Sequence, residues 1–230
     1  MSTPLYVFYR PSADHPYQTP SNAWVPKLGS ILEGDQLVGQ SFQNIRFAYS
    51  TWRLPSLPGG YVPSQTAVTP AQGEPTGAVI FTQVQNLKID RCAFENLGSA
   101  YALSIGQASQ GVKITSCIFR DLSGGAVKLG NVNDTRALST NPTDWDVAYV
   151  LLNNSMTDIA LEFRGAAAVF AGYVAQTNIS HNTLIGTGYT GISLGWGWGN
   201  HVTGPQTFAA DNHITNNRLI SIMSALNDGG

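Results

Sequence analysis

The sequence predicts an all-β fold, a right-handed parallel β-helix built from coils of roughly 25 residues with three short strands each. Three observations favour this fold. Short alternating apolar runs, bounded by Gly, Asn, Asp or Ser, take the place of long amphipathic helices. One stretch of the chain aligns with a later stretch without a gap, and asparagines and cysteines recur at one turn of the repeat.

The ungapped alignment of residues 112–130 with residues 177–195 defines the repeat. Its apolar positions pair Ile114 with Ile179, Phe119 with Leu184, Leu122 with Thr187, Val127 with Ile192 and Leu129 with Leu194. Residues 87–106, 150–173 and 213–222 fit the same template, and 41–52 form a more irregular coil. The fit of 150–173 requires about five inserted residues around Glu162. A leucine-rich repeat would need an L-x-x-L-x-L-x-x-N core, which the chain does not contain.

One column of this alignment lies at the turn between the first and second strands of each predicted coil. It contains Cys92, Cys117, Asn154, Asn182 and Asn217. Stacked coils place such residues about 4.8 Å apart, so that buried asparagines can donate to and accept from their neighbours. We therefore predict an asparagine ladder continued by two cysteines, which either stack as buried thiols or form a disulfide between adjacent coils.

We predict a single domain over residues 1–230, with irregular coils in 1–77 and regular coils in 78–230. The turn-like ending, residues 227–230, suggests a partial domain whose open sheet edges could associate end to end. Charged residues make up 11% of the chain and the net charge is -2, which gives no electrostatic reason to expect nucleic acid or an anionic membrane as a partner. We see neither a membrane-spanning apolar run nor a secretory signal.

Departures from the repeat are the places where function is expected. Residues 131–146 and 196–212 both leave the template after the third strand of a coil. Because the coils are in register, we expect both excursions on one edge, flanking a common groove. The insertion around Glu162 lies at a different corner, between the second and third strands.

Several segments carry a resemblance to a known family. Residues 189–199 (YTGISLGWGWG), with the asparagine coil and residues 226–230 (LNDGG), resemble pectate-lyase-like β-helix proteins, especially glycoside hydrolase family 141 and its relatives. Further matches are residues 47–52, 60–62 and 169–173. The resemblance spans nearly the whole chain. It implies an extracellular or periplasmic role on plant or microbial polysaccharide, in proteins that usually continue with more coils.

Aromatic side chains supply the first candidate site. Trp196 and Trp198 are surrounded by glycines, so their indoles can project and stack on the C–H-rich faces of pyranose rings. Tyr189 is a third candidate platform. The alternative is that both indoles pack as a lid on the outer sheet.

Glycoside hydrolysis usually requires two carboxyl groups, and we select Glu162 and Asp228 as this acid/base pair. Arg164 would favour the ionised form of Glu162 and could bind substrate. The alternatives are an exposed ion pair for Glu162 and turn formation by Asp228. Asp146 and Asp211, in the two excursions, are further candidates for substrate binding.

The sequence indicates neither a metal site nor a cofactor. Its acids are scattered rather than clustered as calcium sites require, and His181 and His213 lie beside the asparagine column, where turn hydrogen bonding is favoured. The resemblance implies a polysaccharide or oligosaccharide as partner. The alternative function is a non-catalytic carbohydrate-binding or structural module that assembles through its ends.

Overall fold

The computed structural model describes residues 25–52, 77–131, 135–195 and 206–226. In these residues the strands form successive coils of three: β1 (Leu32–Asp35), β2 (Ser41–Gln43), β3 (Arg46–Ser50); β4 (Gly77–Thr82), β5 (Lys88–Asp90), β6 (Ala93–Leu97); β7 (Tyr101–Gly106), β8 (Lys113–Thr115), β9 (Ile118–Leu122); β10 (Gly125–Leu129), β11 (Val150–Leu152), β12 (Ser155–Ile159); β13 (Val169–Ala171), β14 (Asn178–Ser180), β15 (Thr183–Thr187); β16 (Ile192–Leu194), β17 (His213–Thr215), β18 (Arg218–Ile220). Short 3-10 helices at Thr135–Leu138 and Pro142–Asp144 interrupt the fourth coil.

The strands stack into three parallel sheets. The first sheet has the order β1-β4-β7-β10-β13-β16, the second contains β2, β5, β8, β11, β14 and β17, and the third contains β3, β6, β9, β12, β15 and β18. Each strand therefore pairs with the equivalent strand one coil away, as a solenoid requires. The predicted right-handed parallel β-helix is confirmed. The repeats aligned in the sequence each begin with a strand of the second sheet, whereas the coils given above begin with a strand of the first sheet.

The register agrees with the alignment made from the sequence. Leu151 of the intervening coil pairs with Ile114 on one side and Ile179 on the other. Val169 likewise pairs with both Val127 and Ile192. Equivalent residues therefore lie over one another, and the period-two alternation of each strand directs one set inward.

Inward-facing side chains fill the solenoid with a continuous apolar core. Phe47, Phe94 and Phe119 stack along the third sheet, with ring centroids 5.0 and 4.7 Å apart. Phe94 and Phe119 have no measurable exposure. Successive coils thus bury the same face, and each contributes apolar area that it could not bury alone.

The asparagine ladder runs through the turn between the second and third sheets. Asn182 Oδ1 accepts from the Asn154 backbone N–H at 3.0 Å and from Asn154 Nδ2 at 2.9 Å. Asn217 Oδ1 accepts the equivalent two bonds from Asn182 at 2.9 and 3.0 Å. Each amide also donates to a carbonyl of the preceding coil, as in the 2.9 Å bond from Asn182 Nδ2 to Leu151 O. The predicted ladder is confirmed.

Cys92 and Cys117 continue this column as free, buried thiols, so the stacked alternative describes this structure. The Cys117 backbone N–H donates to Asn154 Oδ1 at 2.8 Å, and the Cys92 backbone N–H donates to Cys117 Sγ at 3.4 Å. Burial raises the pKa of the Cys117 thiol to about 12. The thiol therefore stays protonated at neutral pH.

The residue before the ladder position adopts a left-handed conformation in every described coil, with φ between 50 and 57°: Asn44, Arg91, Ser116, Asn153, His181 and Asn216. Asparagine tolerates this region better than most residues do. The same sharp turn therefore repeats from coil to coil and keeps the ladder in line. His181 belongs to this turn, as predicted.

The two long excursions lie on one edge, between the first and second sheets. The Phe208 backbone N–H donates to Ala137 O at 3.2 Å, and the Phe208 ring stacks on Trp145 with centroids 5.4 Å apart. The shared edge matches the prediction, although these parts of the excursions pack against each other rather than flanking an open groove. No helix in the described ranges has the length and apolarity to cross a membrane.

Candidate functional site

The insertion after β12 builds one wall of a cavity at the corner between the third and first sheets. Its backbone is anchored to the preceding coil, because the Leu161 N–H donates to Leu122 O at 3.1 Å and the Phe163 N–H donates to Ser123 O at 2.7 Å. The Phe163 ring packs edge-on against Trp52 with centroids 5.1 Å apart. These contacts fix the segment that carries Glu162 and Arg164.

The segment after β18 forms the opposite wall. The Ser224 backbone N–H donates to Thr187 O at 3.1 Å, and the Ala225 N–H donates to Gly188 O at 3.0 Å. A Cβ on Gly188 would lie 3.1 Å from Arg164 O, so glycine lets the turn after β15 approach the insertion closely. Three successive coils therefore meet at this corner.

The corner cavity encloses about 290 Å³, near the lower end of the volumes of ligand pockets. Its charged and hydroxyl-bearing lining residues are Asp158, Arg164 and Ser224, and Ile159 and Leu161 add apolar surface. Asp158 is exposed and has φ 54° at the end of β12. The position one coil later is Gly186, where an added Cβ would lie 3.8 Å from Asp158 Oδ1. The space above this carboxylate is therefore left open.

Sequence reasoning missed Asp158. Its signal is the column of left-handed residues on the third sheet, which contains Tyr49, Asn96, Asp121, Asp158, Gly186 and Ser221. Asp121 and Asp158 are the acids in this column, and of the two only Asp158 lines the cavity. Locating it required knowing which coil carries the wall.

The sequence-predicted site residues separate into two groups. Glu162 and Arg164 are both exposed on the insertion. Arg164 lines the corner cavity, whereas Glu162 is not among its lining residues. Tyr189 belongs to the same corner but is only 3% exposed, so its ring offers little surface to a sugar. Asp228 lies outside the described residues, three positions after Ala225.

Asp146 and Asp211 lie at the turn between the first and second sheets, away from the corner cavity. Asp146 is 3% exposed, and its Oδ1 accepts from the Ser109 backbone N–H at 3.0 Å and from Tyr149 Oη at 2.7 Å. It therefore holds a turn in place rather than facing solvent. Asp211 is exposed in a left-handed turn with φ 55°. Trp196 and Trp198 lie outside the described residues.

A second charged cluster lies on the outer face of the third sheet. Glu95 accepts from Arg46 Nε at 2.7 Å and from Arg120 Nε at 2.9 Å. The hydrogen bond from Arg46 holds the pKa of the Glu95 carboxyl below its ordinary value, reinforced by the charge of Arg120 and opposed by burial. Both carboxylate oxygens of Glu95 are already bonded to an arginine, which favours a structural role for this cluster. Within the described ranges no three Asp, Glu, His or Cys side chains gather as a metal site would require.

Comparison with known proteins finds a structural similarity to a glycoside hydrolase. A solved structure described as "Glycoside hydrolase" superimposes with a TM-score of 0.64 and 26% sequence identity. The match covers 76% of this chain and 34% of that chain, so the chain spans about a third of the length of this structural relative. No family model matches the chain, and no curated protein does.

Proposed function

We propose that the protein is a carbohydrate-active β-helix that hydrolyses glycosidic bonds of plant or microbial polysaccharide, outside the cell or in the periplasm. The observation that carries this proposal is the corner cavity. It combines a carboxylate from the solenoid with a guanidinium from the insertion and a hydroxyl from the segment after β18. The structural likeness to a glycoside hydrolase supports the same reaction class.

The chemistry of hydrolysis assigns roles to the acids at this corner. One carboxyl group must protonate the leaving oxygen, and an ionised one must act as nucleophile or activate water. We assign Asp158 to this pair because it lines the cavity. Glu162, exposed on the insertion, supplies the second carboxyl group, and Asp228 is the alternative second acid. Arg164 and Ser224 would hydrogen-bond substrate hydroxyl or carboxylate groups.

The experiment is turnover on a panel of xylan, mannan, β-glucan and pectin. Asp158→Asn and Glu162→Gln should each lower the rate by about 100-fold or more, because positioned acids and bases contribute that much. Asp121→Asn is the matched control, since Asp121 occupies the same column but does not line the cavity. Full activity in both Asp158→Asn and Glu162→Gln, or no cleavage of any polysaccharide, would remove this proposal.

A second candidate function has a specific observation in its favour. In the described residues of the last coil, Ile214 is 44% exposed and Leu219 is 39% exposed. Their partners in the preceding coil, Ile179 and Leu184, are almost fully buried. An apolar sheet edge of this kind favours pairing with further strands, which fits a structural module that stacks on a second copy.

Sedimentation velocity over a range of protein concentrations tests this alternative. Self-association that Ile214→Lys abolishes would favour stacking. Ile118→Lys is the matched control, because Ile118 is 47% exposed on the outer face of β9. A monomer at all concentrations would exclude it.

A further inference from the structure

A second cavity lies at the corner between the first and second sheets, formed by the first three coils and the 3-10 helix Pro142–Asp144 of the fourth coil. It encloses about 370 Å³ and is lined by Gln36, Val38, Gln83, Gln85, Ala108 and Thr143. We call it the glutamine groove. None of its lining residues is charged. The neighbouring Asp35 carboxylate already accepts from Thr82 Oγ1 at 2.6 Å.

The register places these amides in two adjacent columns. Gln36 and Gln83 continue the pairing of β1 with β4, since the Gln36 N–H donates to Thr82 O at 3.0 Å. Val38, Gln85 and Gln110 form the neighbouring column through parallel bridges. Successive amides are therefore separated by the spacing of stacked strands, about 4.8 Å. The groove runs along the solenoid axis.

These outer amides differ from the inner asparagine ladder. The ladder amides bond to one another. Among the described residues, by contrast, the side-chain amides of Gln36 and Gln85 make no hydrogen bond, and Gln83 Nε2 reaches only Asp35 Oδ1 at 3.5 Å. Each amide presents two donor hydrogens and an acceptor oxygen. Their hydrogen-bonding capacity is thus directed outside the fold.

The wall of the groove is held in place before any ligand arrives. Gln110 Nε2 donates to Pro142 O at 2.8 Å, which ties the 3-10 helix to the solenoid. Asn141 Oδ1 caps that helix by accepting from the Thr143 N–H at 3.2 Å. The wall that carries Thr143 is therefore already ordered and need not be fixed on binding.

We propose that the glutamine groove binds an uncharged, hydroxyl-rich glycan segment that lies along the solenoid axis. Val38, which is 62% exposed, and Ala108 supply apolar surface for the C–H face of a sugar ring. The glutamines supply paired donors and acceptors for its hydroxyl groups. The absence of charge among the lining residues disfavours anionic ligands, which would be left without a counter-charge. The site is separate from the corner cavity and does not depend on Asp158.

The test is isothermal titration with cellotetraose, xylotetraose and mannotetraose, with tri-galacturonate as the anionic comparison. At least one neutral tetrasaccharide should bind. Gln83→Ala combined with Gln85→Ala should weaken that binding by about tenfold, equivalent to the loss of roughly 1.4 kcal/mol of hydrogen bonding. Gln176→Ala is the matched control, because Gln176 is an exposed left-handed turn glutamine that does not line the groove.

Asp158→Asn separates this proposal from the hydrolytic one, since it should stop cleavage and leave binding in the groove unchanged. If no neutral tetrasaccharide binds, if the double variant binds as the wild type does, or if tri-galacturonate binds more tightly than the neutral sugars, the groove does not have this function.

Discussion

Replacement of Asn182 by alanine removes the centre of the ladder. Asn182 is 1% exposed, and its side chain takes part in four hydrogen bonds with Asn154, Leu151 and Asn217. Without it, the Asn154 N–H and Leu151 O lose a partner inside the solenoid, and Asn217 Oδ1 loses one donor. A buried group left without a partner costs about 1–3 kcal/mol, so for the two backbone groups together we expect a loss of about 2–6 kcal/mol in the free energy of unfolding.

Urea denaturation followed by circular dichroism measures this loss. The control is Asn178→Ala, because Asn178 is exposed on β14 of the same coil and its replacement should cost about 0.5 kcal/mol or less. Asn182→Cys should be milder than alanine, since Cys92 and Cys117 already occupy the same column and bond along it. If Asn182→Ala and Asn178→Ala destabilise equally, the ladder does not contribute as argued.

The Glu95 cluster and the stacked thiols yield two further predictions. Because hydrogen bonding to Arg46 lowers the pKa of Glu95 in the folded state, its contribution is present above the unfolded pKa and is lost as pH falls through the folded value. Glu95→Gln should therefore destabilise the protein at pH 7, and the difference in stability from the wild type should shrink as the pH falls through the lowered pKa of Glu95. Thermal unfolding over a series of acidic pH values measures this difference; a difference that stays equal at every pH would contradict the prediction. Cys92 and Cys117 are both buried, and burial raises the pKa of Cys117 to about 12. Both thiols should therefore resist iodoacetamide in the native protein and react after unfolding, which mass spectrometry detects. Rapid labelling of the native protein would contradict this packing.

The solenoid could be predicted from the sequence because the inward-facing apolar and asparagine residues recur at the same positions of each coil. Ile114 and Ile179 align in the sequence because both pair with Leu151 in the stack, and buried asparagines must find hydrogen-bond partners, which the stacked coils supply. The irregular segments could be located for the same reason: the insertion around Glu162 appears as a break in an otherwise regular repeat.

The candidate site was less accessible to this reasoning. Asp158 belongs to an ordinary turn column, and the role proposed for it depends on the walls that the insertion and the segment after β18 form around it. Asp146 lies in one of the two excursions of the sequence, where an exposed side chain is expected. Its carboxylate is instead buried, because it accepts hydrogen bonds from the Ser109 backbone N–H and the Tyr149 hydroxyl. Burial of this kind depends on contacts between coils that the repeat alone does not specify.

The proposed hydrolytic function requires that the corner cavity is the place where a polysaccharide is bound and cleaved. The direct measurement is a crystal structure of the Asp158→Asn variant with an oligosaccharide of the polysaccharide that the turnover panel identifies as substrate. We predict a glycosidic oxygen within hydrogen-bonding distance of residue 158 and a sugar hydroxyl or carboxylate on Arg164. An oligosaccharide bound elsewhere on the solenoid, with the corner cavity empty, would contradict the account.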